Sequence, residues 1–246
     1  MNGPWRYALA SDAGRVRFRN EDAVRVLEAQ GVAIVADGLG GHPNGDRASQ
    51  LAVEAVAAAA AQQRGECGGD PAAEALRRLV TLANARVLAQ GRDEPSTAGM
   101  ATTLVVARFL ADSVAVAHVG DSRAYRLRAG HLELLTRDHN VLEERLSAGA
   151  GDRAFLARDP NAPLLTRVVG AQPGVTPSVG VWDAAPGDVW LLCTDGLHGE
   201  VPETVIGAIL ADFELSPERQ AQALVSEANA RGGWDNVTVV VAQRAY

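Results

Sequence analysis

Four stretches of the sequence place an aspartate close to glycine at one end of an apolar, β-branched run. The clearest is residues 31–42, GVAIVADGLGGH, in which the run ends at Asp37. The others are VGDSR with Asp121, VWLLCTDGL with Asp195, and GGWDNVTVVV with Asp235. Such runs predict buried strands that each deliver one carboxylate to a tight loop. A single Asp-Gly pair is typical of a turn, but four such aspartates predict an oxygen-ligand site for a hard cation.

The spacing of apolar residues predicts strands in adjacent runs and helices in pairs. Residues 102–109, 113–119, 122–128 and 131–135 predict four successive strands, which we interpret as an antiparallel meander. Alanine-rich and amphipathic stretches on either side predict helices. These helices cover residues 46–63, 71–89, 139–148, 202–213 and 216–231.

This order of elements excludes a repeating βαβ fold, in which strands and helices alternate. Several strands are apolar on consecutive residues, so both faces of each sheet need cover. The sequence therefore predicts an α+β fold, a four-layer α/β/β/α sandwich with two central, mainly antiparallel β-sheets flanked by helix pairs. No internal repeat or linker is visible, which predicts a single domain over residues 1–246.

Composition limits the function classes. The formal net charge of −7, with no Lys/Arg-rich run, predicts that the chain binds no nucleic acid. The two cysteines, Cys67 and Cys193, are far apart and form no CxxC motif, which favours the cytoplasm over an oxidising compartment. We expect no membrane association, because the N-terminus lacks a signal-peptide pattern and the longest apolar stretch, residues 51–61, is too short to span a bilayer.

The chain resembles bacterial members of the metal-dependent protein phosphatase family, also called the protein phosphatase 2C or PPM family. The resemblance extends over nearly the whole length and keeps the family's order of motifs. The motifs are SDAGRVRFRNEDA, VADGLGGHPNGDRAS, GMATTL, VGDSRAYRL, LTRDHN, LTRVVG, APGDVWLLCTDGL and GGWDNVT. The resemblance implies the same α/β/β/α sandwich. It also implies hydrolysis of phosphoserine and phosphothreonine in proteins, by in-line attack of a water that bridges two metal ions.

The resemblance assigns roles to the aspartates. It implies that Asp37 bridges two divalent metal ions, Mn²⁺ or Mg²⁺, and that the carbonyl of Gly38 is a further ligand. Asp195 and Asp235 would complete the pair of metal sites. Asp121, together with Asp195, resembles the residues that hold a third, weaker metal ion in bacterial members.

Three further residues carry roles by resemblance. Asp22 matches an acidic residue that holds metal-bound water, and Arg17 matches the arginine that binds the substrate phosphate. His42 either protonates the leaving alkoxide as a general acid or packs within its loop. Residues 149–163 stand where the family has a variable flap beside the active site, but this stretch is hard to align. Thr194 departs from the serine that is usual before the DGL motif.

Other functions stay open at this point. A nucleotide-binding protein would need GxGxxG or GK[ST], and a calcium-binding loop would need DxDxDG; all are absent. A catalytically silent module with the same fold, or a hydrolase of small phosphoesters, would fit the same residues. The partners that the resemblance implies are phosphorylated proteins and a cognate bacterial Ser/Thr kinase that the phosphatase opposes. We expect a monomer, although the sequence leaves the oligomeric state open.

Overall fold

The computed structural model describes residues 4–39, 44–62 and 70–245, except for the side chains of residues 70 and 71. These residues form ten β-strands: β1 Trp5–Asp12, β2 Asp22–Leu27, β3 Val32–Asp37, β4 Leu104–Phe109, β5 Ser113–Val119, β6 Arg123–Arg128, β7 His131–Leu134, β8 Ser178–Asp183, β9 Val189–Cys193 and β10 Val237–Arg244. They also form seven α-helices: α1 Gly45–Gln62, α2 Asp70–Asp93, α3 Val141–Ser147, α4 Arg153–Leu156, α5 Asp195–His198, α6 Glu203–Ala211 and α7 Pro217–Ala230.

The strands form two five-stranded sheets. Sheet A has the order β1-β10-β9-β6-β7, and sheet B has the order β2-β3-β4-β5-β8. Neighbouring strands are antiparallel in every pair of both sheets. The predicted α+β class with two antiparallel sheets is therefore confirmed.

Three apolar cores separate four layers. Helices α1 and α2 cover the outer face of sheet B through residues such as Leu51 and Leu76. Helices α6 and α7 cover sheet A, where Ile206 and Leu224 are buried. A third core, including the fully buried Trp190, fills the space between the sheets. Burying a side chain of this size contributes on the order of 3 kcal/mol, so this inner core joins the two sheets firmly.

The predicted meander of four consecutive strands is wrong. β5 pairs with β4 and β8 in sheet B, whereas β6 pairs with β7 and β9 in sheet A. The chain crosses from one sheet to the other at residues 120–122, and Gly120 takes the left-handed φ of +101°. A Cβ at this position would overlap Thr103, so glycine is required. Alternating apolar residues show that a segment is a strand but not which sheet it joins.

The ends of the helices agree with their capping residues. Ser216 caps α7 by accepting a hydrogen bond from the backbone N–H of Arg219, and Pro217 occupies the first helical position. The segment predicted as a flap, residues 149–163, contains the short helix α4, whose residue Leu156 is buried. Among the described residues, none of the helices combines the length and apolar character needed to cross a membrane.

Candidate functional site

The two sheets present one common edge to a cavity of about 640 Å³. Strands β3 and β9 end at this edge, the crossover after β5 passes through it, and β10 begins there. The cavity is lined by Arg17, Asp37, Asp121, Asp195 and Asp235. The cavity thus brings together four aspartates that are widely separated in sequence and that each lie in a strand or two residues from one: Asp37, Asp121, Asp195 and Asp235.

Asp37 is fixed at the end of β3 by its backbone. Its N–H donates to Thr103 Oγ1 (3.0 Å), and its carbonyl accepts from the N–H of Thr103 (2.8 Å). Asp22 begins β2 directly opposite Asp37 in the antiparallel register. The buried Thr194 donates its hydroxyl to Asp22 Oδ2 (3.0 Å). Asp22 and Asp37 therefore sit side by side on fixed strands. The sequence analysis did not predict β2.

Gly38 allows two other backbone segments to approach the chain closely just after Asp37. A Cβ at Gly38 would overlap the carbonyl oxygens of Gly45 and Glu21. Gly196, next to Asp195, is constrained in the same way, because a Cβ there would overlap the carbonyl oxygen of Asn236. Glycine beside each of these aspartates therefore permits close approach of a second backbone segment.

Two carboxylate oxygens of the site have no hydrogen-bond partner. Oδ1 of Asp22 and Oδ1 of Asp195 are both buried, and neither is bonded to any described residue. A buried carboxylate oxygen without a donor is unfavourable by roughly 1–3 kcal/mol or more, so such atoms require an explanation. An all-oxygen set of neighbouring carboxylates with free lone pairs fits a divalent cation such as Mg²⁺ or Mn²⁺.

Asp121 lies on the crossover between the sheets. Its carbonyl oxygen accepts a hydrogen bond from His198 Nε2 (3.1 Å), a residue at the end of α5. The following residue, Ser122, is bonded through its hydroxyl to Thr103 Oγ1 (2.7 Å). Because Thr103 also bonds Asp37, the positions of Asp121 and Asp37 are coupled through one buried threonine.

Arg17 and Asp235 form an ion pair at the mouth of the cavity. Arg17 Nη2 donates to Asp235 Oδ2 at 2.7 Å, and the two side chains are 44% and 37% exposed. The next residue, Asn236, is buried and ties together the loop that carries Arg17. Its Nδ2 donates to the carbonyl oxygens of Ala13 (2.9 Å) and Arg19 (2.8 Å), and its Oδ1 accepts from the N–H of Glu21 (2.8 Å).

Burial and mutual repulsion raise the pKa values of four carboxylates in the site. Desolvation, reinforced by the charges of Asp195 and other neighbours, raises the pKa of Asp22 to about 7 and that of Asp121 to about 7. Desolvation likewise raises the pKa of Asp37 and of Asp195. All four residues are half-buried. The cluster is thus short of positive charge.

The described carboxylates lie close together but do not already form a complete set of ligands around one point. Among the described residues, no three His, Cys, Asp or Glu side chains already surround a single point as ligands of one metal ion. His42 lies outside the described residues.

Comparison with known proteins identifies the family. Residues 15–228 match the family described as Protein phosphatase 2C. The chain belongs to the protein phosphatase 2C family.

Relatives of this protein phosphatase 2C cover nearly its full length. It is 35% identical to the serine/threonine phosphatase stp of Listeria monocytogenes, over 95% of this chain and 94% of the relative. The crystal structure of the Mycobacterium tuberculosis serine/threonine phosphatase PstP/Ppp superposes with a TM-score of 0.87 at 36% identity, covering 98% and 99% of the two chains. A structure of the PstP catalytic domain in complex with two manganese ions superposes with a TM-score of 0.83 at 34% identity, covering 98% and 99%.

The sequence missed the residues that support the site of this protein phosphatase 2C. Thr103, Thr194 and Asn236 hold the aspartates in place through hydrogen bonds, but none carries chemistry of its own. The signal that could have found Asn236 is its place in the GGWDNVT motif, directly after Asp235. Residues 163–166 and 168 also line the cavity, so the C-terminal end of the predicted flap segment, Pro163, does lie beside the site.

Proposed function

We propose that this chain is a metal-dependent phosphatase that hydrolyses phosphoserine and phosphothreonine monoesters in proteins. The observation that supports this most is the group of carboxylates with two unpartnered buried oxygens beside an arginine in an open cavity. Family membership supports the same activity, because the stp relative of Listeria monocytogenes is a serine/threonine phosphatase. A catalytically silent module would have no need to keep such an electrostatically unfavourable cluster.

Two divalent cations, Mn²⁺ or Mg²⁺, are the cofactors in this proposal. Asp37, the carbonyl of Gly38, Asp195 and Asp235 would hold them, and Asp121 with Asp195 would hold a third, weaker one. The PstP catalytic domain, a relative, binds two manganese ions. Bound divalent cations lower the pKa of water and neutralise charge on the phosphate oxygens.

The chain's own residues would bind the substrate and orient water. Arg17 carries a guanidinium that can bind two phosphate oxygens at once. Because it now pairs with the carboxylate of Asp235, binding of phosphate would exchange one anionic partner for another. Asp22 would accept a hydrogen bond from water through Oδ1, since Oδ2 is already occupied by Thr194. His42 would donate a proton to the leaving alkoxide.

Partners and organisation follow as further parts of the proposal. The substrates would be proteins phosphorylated by a cognate Ser/Thr kinase, and the enzyme would act as a cytoplasmic monomer. We propose that residues 1–246 form one catalytic domain. Two observations support this. The crossover between β5 and β6 connects the two sheets directly, and the two sheets share one inner apolar core.

The test is hydrolysis of a phosphothreonine peptide by the purified chain with Mn²⁺, with Mg²⁺ and with EDTA. Asp37→Asn and Asp195→Asn should abolish metal-dependent turnover. Asp183→Asn is the matched control, because this exposed aspartate lies on sheet B in β8 and pairs with Arg128. Turnover of sugar phosphates or nucleotides in preference to the peptide would instead indicate a hydrolase of small phosphoesters. No turnover with metal bound would refute the proposal.

A further inference from the structure

Three large apolar side chains are exposed on the two segments that bring Arg17 and Asp235 to the cavity. Phe18 is 104% exposed, Trp234 is 63% exposed and Val16 is 50% exposed. They lie next to the two residues of the mouth, because Val16 and Phe18 flank Arg17 in sequence and Trp234 precedes Asp235. We call these three residues the apolar rim. Single exposed apolar residues are ordinary, but three on two segments that are bonded to each other are typical of an interaction surface.

The two loops that carry the apolar rim are held to each other. The N–H of Arg15 donates to the carbonyl oxygen of Gly233 (2.7 Å). Gly14 approaches the carbonyl oxygens of Asp235 and Gly233 so closely that a Cβ would overlap both. With the ion pair between Arg17 and Asp235, these contacts fix the rim beside the cavity. The side chains of the apolar rim are therefore exposed on segments that hydrogen bonds and an ion pair hold in place.

Two positively charged side chains on the segment that carries Arg17 indicate the chemistry of the partner. Arg15 and Arg19 are exposed on either side of Val16, Arg17 and Phe18. Neither forms an ion pair with a carboxylate in the part of the chain that the structure describes. In a chain of net charge −7, two such arginines beside the cavity favour an acidic group on whatever binds there.

We propose that the apolar rim binds the polypeptide that flanks the phosphorylated residue, and that it selects substrates with an apolar side chain next to that residue and an acidic one beyond it. This inference rests on the proposed function, because it assumes that phosphate binds at Arg17. Consecutive residues of an extended peptide are about 3.3–3.6 Å apart. A phosphoresidue held at Arg17 therefore brings its neighbours within reach of the side chains adjacent to Arg17.

The experiment measures binding without turnover. Two fluorescent peptides carry a non-hydrolysable phosphonate analogue of phosphoserine; one has leucine and glutamate as flanking residues and the other has serine and glutamine. We expect the wild-type protein to bind the first about tenfold more tightly, as one apolar anchor commonly provides. Phe18→Ser and Trp234→Ser should each reduce this preference to about twofold or less. Replacing Arg15 and Arg19 by glutamine should remove the part of the preference that depends on glutamate.

Phe213→Ser is the matched control. Phe213 is 57% exposed and lines a separate cavity with Gln243 and Arg244, at the other end of β10 from Asp235. This variant should keep the full preference. Equal binding of both peptides by the wild type, or the same loss in Phe213→Ser, would overturn the inference. Tighter binding to phosphatidylserine vesicles that Phe18→Ser abolishes, without any peptide preference, would assign the rim to a membrane surface instead.

Turnover of p-nitrophenyl phosphate with Mn²⁺ separates the two proposals, because this substrate has no flanking residues. Turnover without a peptide preference would refute only the proposal that the apolar rim binds the flanking polypeptide. A preference without turnover of any phosphoester would refute the phosphatase and leave the rim as a docking surface for phosphorylated polypeptides.

Discussion

Two aspartates flank strand β9 and have opposite surroundings. Asp188, directly before the strand, is 1% exposed and accepts two hydrogen bonds from Arg128, at 2.8 Å to Oδ1 and 2.6 Å to Oδ2. Asp195, two positions after the strand, has one buried oxygen without a hydrogen-bond partner among the described residues, and it lies among other carboxylates. The protein neutralises the first aspartate itself and leaves the second for something else to neutralise.

The difference separates a structural carboxylate from a functional one. A bidentate arginine satisfies both oxygens of Asp188, so the pair contributes to stability and needs no ligand. The carboxylates of the cluster, Asp22, Asp37, Asp121 and Asp195, have raised pKa values. Two arginines whose charges act on the cluster pair with other carboxylates, Arg17 with Asp235 and Arg123 with Asp138. Stability and activity should therefore respond in opposite ways to an Asp→Asn change at Asp188 and to one within the cluster.

The largest expected effect is on turnover. Asp195→Asn should lower kcat/KM for a phosphopeptide by about a thousandfold or more, because a cation site loses one charged ligand. Asp188→Asn should leave kcat/KM within about threefold at 25 °C, since Arg128 and Asp188 do not reach the cavity. Steady-state kinetics with saturating Mn²⁺ measures both. An Asp188→Asn variant that is folded but inactive would show that the two ends of β9 are not separable.

The free energy of unfolding should depend more on Asp188 than on the carboxylates of the cluster. Asp188→Asn should lower the free energy of unfolding by about 2 kcal/mol, because Arg128 loses its bidentate partner while remaining two-thirds covered. Asp37→Asn should leave the metal-free protein unchanged or up to about 1 kcal/mol more stable, because one member of a repelling cluster becomes neutral. Urea titrations in EDTA at pH 8 test both variants. A loss of more than about 2 kcal/mol in Asp37→Asn would contradict the comparison.

The pH dependence of the metal-free protein should reflect the cluster. Asp22 and Asp121 have a pKa of about 7 when folded, above the value of about 4 expected in the unfolded chain. Their contribution to stability is therefore fully present below pH 4 and is lost as the pH rises through 7. We expect the free energy of unfolding in EDTA to fall by roughly 3–5 kcal/mol between pH 5 and pH 8, since each of the two groups loses up to about 2.6 kcal/mol over this range. Asp22→Asn should flatten this slope, whereas Asp183→Asn should not.

The smallest effect is expected at Thr194. Its hydroxyl donates to Asp22 Oδ2 and accepts from the N–H of Thr238 (both 3.0 Å), and a serine can do the same. Thr194→Ser should thus change kcat/KM by less than about twofold and the free energy of unfolding by less than about 1 kcal/mol. Thr194→Val keeps the shape but removes the hydroxyl, so it should cost roughly 1–3 kcal/mol through the unsatisfied Asp22. Equal effects of the two changes would show that the hydroxyl does not matter.

The positions of the aspartates could be predicted because each stands at the boundary of an apolar run, and that boundary is visible in the sequence. Strand β2 was missed because its residues are mostly half-buried and include Arg25. The crossover at Gly120 was missed because glycine after a strand predicts a turn without indicating in which sheet the chain continues. The ion pair between Arg128 and Asp188 could not be predicted either, because it depends on the register of β6 with β9.

The topology also has a consequence for how the protein is made. β1 lies at the edge of sheet A and pairs with β10, the last strand described. Arg17 and Asp235, which meet at the cavity, are 218 positions apart in the chain. A chain emerging from the ribosome therefore carries β1 without its partner until β10 has been synthesised, and contacts between such distant residues form slowly. Phosphatase activity would thus begin only after β10 is released, and a chain terminated before it would contain most of the fold but no complete site.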